Sequence, residues 1–266
     1  HLSDALVNAI PSGTSISAGG IELSDHVAKV SLNGTLPSDD HGKQLMAWEI
    51  SQTLQRSGRV NSVEINVGGE ALPSSGLPSQ PSFDLDSAVA LNSNGLVRID
   101  GRSVSTRILP IAPSSSASLP AVSPASSSLL AWREDDRLVL VDSSTNATRV
   151  VDGSEGQYPP SIDRFGWVWD IPRGGNLRAS RVDGQNLPIA SENQSLNGVS
   201  AVRVSPDGAR ALLLRQVGGS TSAWIAGIER QGSGEPIALT DPEPLAGLST
   251  GVDDVSWAGR STVVAV

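Results

Sequence analysis

The chain has 266 residues and a net charge of −9, with 19 Lys and Arg against 28 Asp and Glu, and it contains no cysteine. An acidic surface is a poor partner for a phosphate backbone, so nucleic acid is not expected as a ligand. Without thiols there are no disulfides, thiolate zinc sites, iron–sulfur clusters or cysteine nucleophiles.

No run approaches the roughly 18 apolar residues that a membrane span needs, and no charged-then-apolar leader opens the sequence. The chain begins at His1 and reads as a piece of a longer protein. Residues 4–8 fit the end of a short helix stopped by Pro11. Ile21-Glu22-Leu23 and residues 27–32 flank Ser24-Asp25-His26, which reads as a hairpin turn. Ser38 or Asp39 is placed to cap a helix in which Met46, Ile50 and Leu54 recur at helical spacing, with Leu45, Ala47 and Trp48 widening the apolar face. Ser57-Gly58 ends that helix, and Val63, Ile65 and Val67 alternate as in a half-buried strand. Residues 1–70 are therefore expected to form an α+β module. Residues 71–82 dissolve into Pro and Ser and read as a linker.

Beyond the linker helical periodicity stops and short strands recur. Four segments align as strand, turn, strand, turn, strand: 88–109, 129–151, 167–190 and 211–239. Their middle strands begin near Leu96, Leu138, Leu177 and Trp224, in steps of 42, 39 and 47 residues. A further short strand ending in or near serine precedes most of them, at Val122-Ser123, Ser161-Ile162, 202–205 and Val255-Ser256. Four strands in a unit of about 40 residues is the pattern of a β-propeller blade, which must stack on its neighbours to bury both faces. A β-sandwich alternates strands and turns too, but has no reason to repeat at this period. The expected fold is an α+β module followed by an all-β propeller over 83–266. The chain stops inside a fifth unit at 261–266, so the propeller is read as incomplete in this chain. The run 110–128, with eight serines and four prolines, reads as a flexible connection between blades.

Catalytic groups are scarce. The three histidines, His1, His26 and His41, lie in the first sixth of the chain, so a Ser–His–Asp triad cannot form within the repeats. Asp39-Asp40, Glu134-Asp135-Asp136 and Asp253-Asp254 fall at turns and read as solvated. Asp-Gly pairs at 100, 152, 183 and 207 read as hairpin turns. Ser161-Ile162-Asp163-Arg164-Phe165-Gly166-Trp167 approaches the Asp box of sialidase-type propellers, but its glycine and tryptophan are one residue out of register. No enzyme activity, cofactor or metal is expected. Trp132, Trp167, Trp169, Trp224 and Trp257 occupy strand positions, most of them as packing residues.

Ala5-Leu6-Val7, Ile10-Pro11-Ser12-Gly13-Thr14, the hairpin strand ending Val27-Ala28-Lys29-Val30-Ser31-Leu32, the helix from Gln44 to Leu54 and Val63-Glu64-Ile65-Asn66-Val67 resemble a GerMN module. The stretch Val204-Ser205-Pro206-Asp207-Gly208-Ala209-Arg210-Ala211 resembles a TolB-like blade motif. In this order the two are similar to the LpqB family of actinobacterial lipoproteins. The resemblance implies an extracytoplasmic protein tethered to the cell membrane by a lipidated N-terminus absent from this chain. It also implies an accessory role in envelope and division control, through contact with the external domain of the sensor kinase of an MtrA–MtrB-type system. The expected function is thus a non-catalytic module that binds and modulates that kinase. A second reading is an envelope glycan- or peptidoglycan-binding propeller using Asp and Trp side chains, with Trp167 and Trp169 as the test residues. A third is a structural spacer. The sequence names no contact residue.

Overall fold

The computed structural model describes residues 5, 8–78, 82–83, 87–92, 95–100, 103–107, 113–153, 156, 158–248 and 251–266. Most of the expected short helix at 4–8, Asn94, Gly101, the strand end at 108–109 and the start of the Ser/Pro run at 110–112 lie outside these residues. Backbone contacts divide the chain into two units, one of Val7–Gln80 and one of Pro81–Val266 with His1–Leu6.

In the smaller unit, strands β1 (Ser15–Ser24) and β2 (Val27–Asn33) form a hairpin, followed by helix α1 (Asp40–Gln55), β3 (Ser62–Val67) and β4 (Glu70–Ala71). The hairpin turns through Asp25 and His26 at φ 51° and 63°, the left-handed pair that matches strand twist in two-residue loops. Asp39 is the N-cap of α1, its Oδ1 accepting from the Gly42 N–H at 2.7 Å and satisfying a donor that the first turn leaves free. The helix is the crossover between parallel β2 and β3, with Val30 opposite Ile65. Alternate residues of these strands (Ala28, Val30, Leu32; Val63, Ile65, Val67) face Met46 and Ala47 of α1 and make the core.

The expected linker at 71–82 needs correction at its start. Ala71 still pairs with Asn66, and Leu72 donates its N–H to the Ile65 carbonyl at 2.9 Å and buries its side chain. An apolar side chain beside a half-open core gains about 1.5–3 kcal/mol by entering it, and the Pro-rich composition begins only at Pro73.

The larger unit is built of antiparallel meanders. Sheet I holds β5 (Ser87–Asn92), β6 (Gly95–Asp100) and β7 (Ser103–Arg107). Sheet II holds β8 (Ala117–Val122), β9 (Leu129–Glu134), β10 (Arg137–Asp142) and β11 (Ala147–Val151). Sheet III holds β12 (Ser161–Ile162), β13 (Val168–Asp170), β14 (Arg178–Ser180) and β15 (Asn186–Pro188). Sheet IV holds β16 (Val199–Val204), β17 (Arg210–Val217), β18 (Ser220–Arg230) and β19 (Pro236–Leu239), with β20 (Glu243–Pro244) beside β18. Sheet V pairs β21 (Val255–Trp257) with β22 (Val263–Ala265). First strands meet from sheet to sheet: β8 touches β12, β12 touches β16, and β16 touches β21. Among the described residues no sheet closes into a ring.

This stacking explains the continuous apolar runs. Leu138 and Leu140 of β10 join the core shared with sheet III, while Val139 and Val141 point into the core shared with sheet I. Ala211 and Leu213 of β17 face sheet III, and Leu212 and Leu214 face sheet V. Successive strand residues point to opposite faces, so a sheet covered on both sides is apolar at every position.

The flexible reading of 110–128 is corrected, because residues 117–122 form β8. Leu119 has φ 52°, and the register with β9 shifts between Ser118 and Ala121. Pro120 has no N–H to give the ladder, and a bulge is where a strand tolerates it.

Candidate functional site

Charged residues inside apolar strands mark where the sheets are fastened together. Between sheets II and III, Asp170 at the end of β13 is fully buried and accepts from Arg178 Nε at 2.9 Å. Arg133 Nη1, at the end of β9, lies 3.5 Å away with its side chain 2% exposed. Arg133 also donates Nε–H to the Tyr158 carbonyl at 3.3 Å. Burial pushes the Arg133 pKa down, and Asp170 opposes that shift.

Between sheets III and IV the same device recurs at the turn after β12. Asp163 Oδ1 accepts from the N–H groups of Phe165 and Trp167, both at 2.9 Å. Its Oδ2 accepts from Trp169 Nε1 at 2.9 Å and from Arg230 Nη2, at the end of β18, at 2.7 Å. Arg230 further donates to the Gly208 and Gly234 carbonyls and lies over the Phe165 ring, 4.6 Å from its centroid. Gly234, at φ +83°, leaves room for that ring; a Cβ there would overlap it. The near-match to a sialidase box is thus a turn lock whose buried carboxylate accepts four hydrogen bonds.

Between sheets IV and V, Arg203 Nη2 pairs with Asp254 Oδ1 at 3.0 Å and Trp257 Nε1 donates to the Arg203 carbonyl at 2.9 Å. Burial again lowers the Arg203 pKa, and Asp254 offsets this. Asp254 is therefore not simply solvated. In the corresponding turn of sheet IV, Asp207 accepts from the Ser205 hydroxyl and the Ala209 N–H, and Arg210 pairs with it at 2.9 Å. These partners were missed in the sequence. The available signal was an arginine or aspartate closing an otherwise apolar strand, as in Trp132-Arg133 and Trp169-Asp170.

The other residues singled out by sequence stay apart. His26 occupies the β1–β2 turn with Nδ1 3.1 Å from the Arg59 carbonyl, and His41 is exposed in the first turn of α1. Asp135 and Asp136 form a left-handed hairpin turn at φ 49° and 64°. Among the described residues no three His, Asp or Glu side chains group as metal ligands. Trp167 and Trp169 are 1% and 0% exposed in the core between sheets III and IV, so neither offers a face to a sugar. This corrects their use as glycan contacts.

A cleft of about 410 Å³ opens between the connection β13–β14 (residues 171–176) and the segment entering β16 (residues 196–200), completed by Tyr158 and Gln216. In an antiparallel meander the connections after the second and fourth strands emerge at the same end of the sheet, which brings these loops together. Backbone bonds set the walls: Gly175 N–H to the Pro172 carbonyl at 2.9 Å, Val199 N–H to Leu196 at 3.1 Å and Gln216 N–H to Gly198 at 2.8 Å. Asp241 clamps the loop upstream, accepting from the N–H groups of Asn193 at 2.9 Å and Gln194 at 3.0 Å. The Asn193 N–H leads the hydrogen bonds that hold the Asp241 carboxyl below its ordinary pKa. In the smaller unit, an apolar groove of about 260 Å³ runs along β1 and α1, lined by Ile16, Ile21 and Leu54 among others.

Consecutive antiparallel sheets stacked first strand to first strand define a β-propeller-like protein. The chain belongs to the lipoprotein LpqB β-propeller domain family, whose sequence profile matches residues 94–266. Comparison with curated protein sequences finds no match. Among solved structures, the complex of KlAtg21 with the coiled-coil of AgAtg16 is similar over 70% of this chain and 76% of that one, with 11% identity and a TM-score of 0.38. Dihydro-heme d1 dehydrogenase NirN in complex with DHE is similar over 66% of this chain and 48% of that one, with 20% identity and a TM-score of 0.32. Likenesses this distant carry no functional argument. Among the described residues no helix is long and apolar enough to cross a membrane.

Proposed function

We propose that this protein is a non-catalytic accessory lipoprotein of the cell envelope whose stacked sheets bind and modulate the external domain of a membrane sensor kinase of the MtrA–MtrB type. The observation that carries the reading is the family match across residues 94–266, which places the chain among LpqB-type lipoproteins. Residues 83–266 are read as the propeller, residues 1–70 as a GerMN-like module and 71–82 as the connection. The protein is held outside the cytoplasm by lipid at the cell membrane. Asp163 and Asp170, the buried acids, are each paired with arginine, which supports a structural role for both.

The test is binding of the lipid-free protein to the kinase external domain at two salt concentrations. Saturable binding that weakens as salt rises is expected for an acidic surface steering its partner. A folded protein that does not bind at either salt overturns the proposal.

A further inference from the structure

Several polar side chains that line the cleft between sheets III and IV have no partner among the described residues. Arg173 has no hydrogen bond or ion pair among the described residues, whereas Arg133, Arg178, Arg203, Arg210 and Arg230 are each committed to a carboxylate. The side-chain amides of Asn176, Asn197 and Gln216 are likewise without partners among the described residues. Among the described residues no carboxylate lines the cleft, although the chain as a whole carries a net charge of −9. Beneath these groups Ile171, Leu196 and Val199 supply an apolar floor.

From this convergence we infer that the cleft binds an acidic side chain of a partner protein, an aspartate or glutamate flanked by apolar residues, with Arg173 as its counter-charge. A guanidinium receives a carboxylate through a planar fork of N–H donors, and the neighbouring amides fit the remaining carboxylate oxygen and the peptide groups beside it. The flanking apolar side chains rest on the floor. The walls are fixed before binding by the backbone bonds at Gly175, Val199 and Gln216, so little ordering cost falls on association.

A protein ligand fits better than a glycan. Arg173 is the one charged group lining the cleft among the described residues, so it selects for negative charge on the ligand, which a neutral glycan does not carry. The inference rests on the proposed function only in taking the ligand to be a protein.

The experiment is an amide NMR titration of the intact chain with acetyl-Leu-Glu-Leu-amide, acetyl-Leu-Gln-Leu-amide and N-acetylglucosamine in parallel, each to about 10 mM, where weak single-side-chain contacts saturate. Saturable shifts are expected at the amides of residues 173–176 and 197–198 with the glutamate peptide. The glutamine peptide and the Arg173→Gln variant should each bind about tenfold more weakly. Arg173 is exposed, so its variant tests contact and not folding. Asn197→Asp, which puts a like charge at the mouth, should abolish the shifts.

Equal titration by both peptides, unchanged affinity in Arg173→Gln, or shifts away from these loops overturns the inference. So does saturation by N-acetylglucosamine alone. Failure of the peptide while the kinase external domain still binds removes this assignment and leaves the proposed function standing. Peptide binding without kinase binding does the reverse.

Discussion

Asp170→Ala removes the carboxylate shared by two arginines at the joint between sheets II and III. In the native protein it accepts from Arg178 at 2.9 Å and faces Arg133 at 3.5 Å, with both Asp170 and Arg133 out of contact with water. Truncation leaves Arg133 buried beside Arg178 without the carboxylate between them. Breaking one side of a buried ion pair costs about 3–5 kcal/mol. Arg133 keeps the Tyr158 carbonyl and Arg178, 12% exposed, can turn to water, so the low end applies, about 3 kcal/mol. For a unit of this size that corresponds to a fall in Tm of about 6–12 °C. Urea unfolding followed by tryptophan fluorescence reads it directly, because five of the six tryptophans lie in the larger unit. The double variant Arg133→Met with Asp170→Leu should recover most of the loss, since a buried pair replaced by apolar side chains is often neutral. A loss below about 1 kcal/mol for Asp170→Ala would refute the view that this ion pair fastens the sheets.

Other outcomes follow from the same contacts. Trp169→Phe takes one of four donors from the buried Asp163 carboxylate and should cost about 1.5–3 kcal/mol in the same urea assay. Gly234→Ala should destabilise by about 1–2 kcal/mol from left-handed strain alone, and more because the methyl group meets Phe165; a circular-dichroism melt checks it. Met46→Ala should cost the smaller unit about 2–5 kcal/mol, read from exchange of its amides, because its side chain is fully buried.

Stability should also fall in acid. Asp142 is held below the ordinary carboxylate range, first by the Ser144 hydroxyl. Asp207 is held low despite burial, by Ser205, Ala209 and Arg210, and Asp241 is held low by Asn193 and its neighbours. A depressed folded-state pKa contributes stability that is complete above the unfolded value near 4 and is lost as pH falls through the lower folded one. Unfolding midpoints at about pH 3 and pH 6 should therefore differ less in Asp241→Asn than in the native chain.

Elements governed by local pattern were legible in the sequence. The β1–β2 turn, the Asp39 cap, α1 and strands β9 to β19 all carry periodicity or turn residues that fix them without distant partners. β8 was hidden because Ser and Pro look like loop until β9 supplies a ladder and a bulge absorbs Pro120. Leu72 was hidden because its burial depends on a core assembled by Met46 and Ile65. The fastening arginines are non-local in the same way: Arg230 and Asp163 are 67 residues apart, and no spacing rule joins them. The loop cleft was invisible for a related reason. Arg173, Asn197 and Gln216 come from three segments and meet only because antiparallel connections emerge at one end of neighbouring sheets.

Hydrogen exchange of the intact chain with and without the kinase external domain tests the central claim most directly. Saturable protection is expected on the larger unit, strongest at residues 171–176 and 196–200, with the amides of the remaining strand residues unchanged. Absence of protection anywhere in residues 83–266 at saturating kinase domain would contradict it.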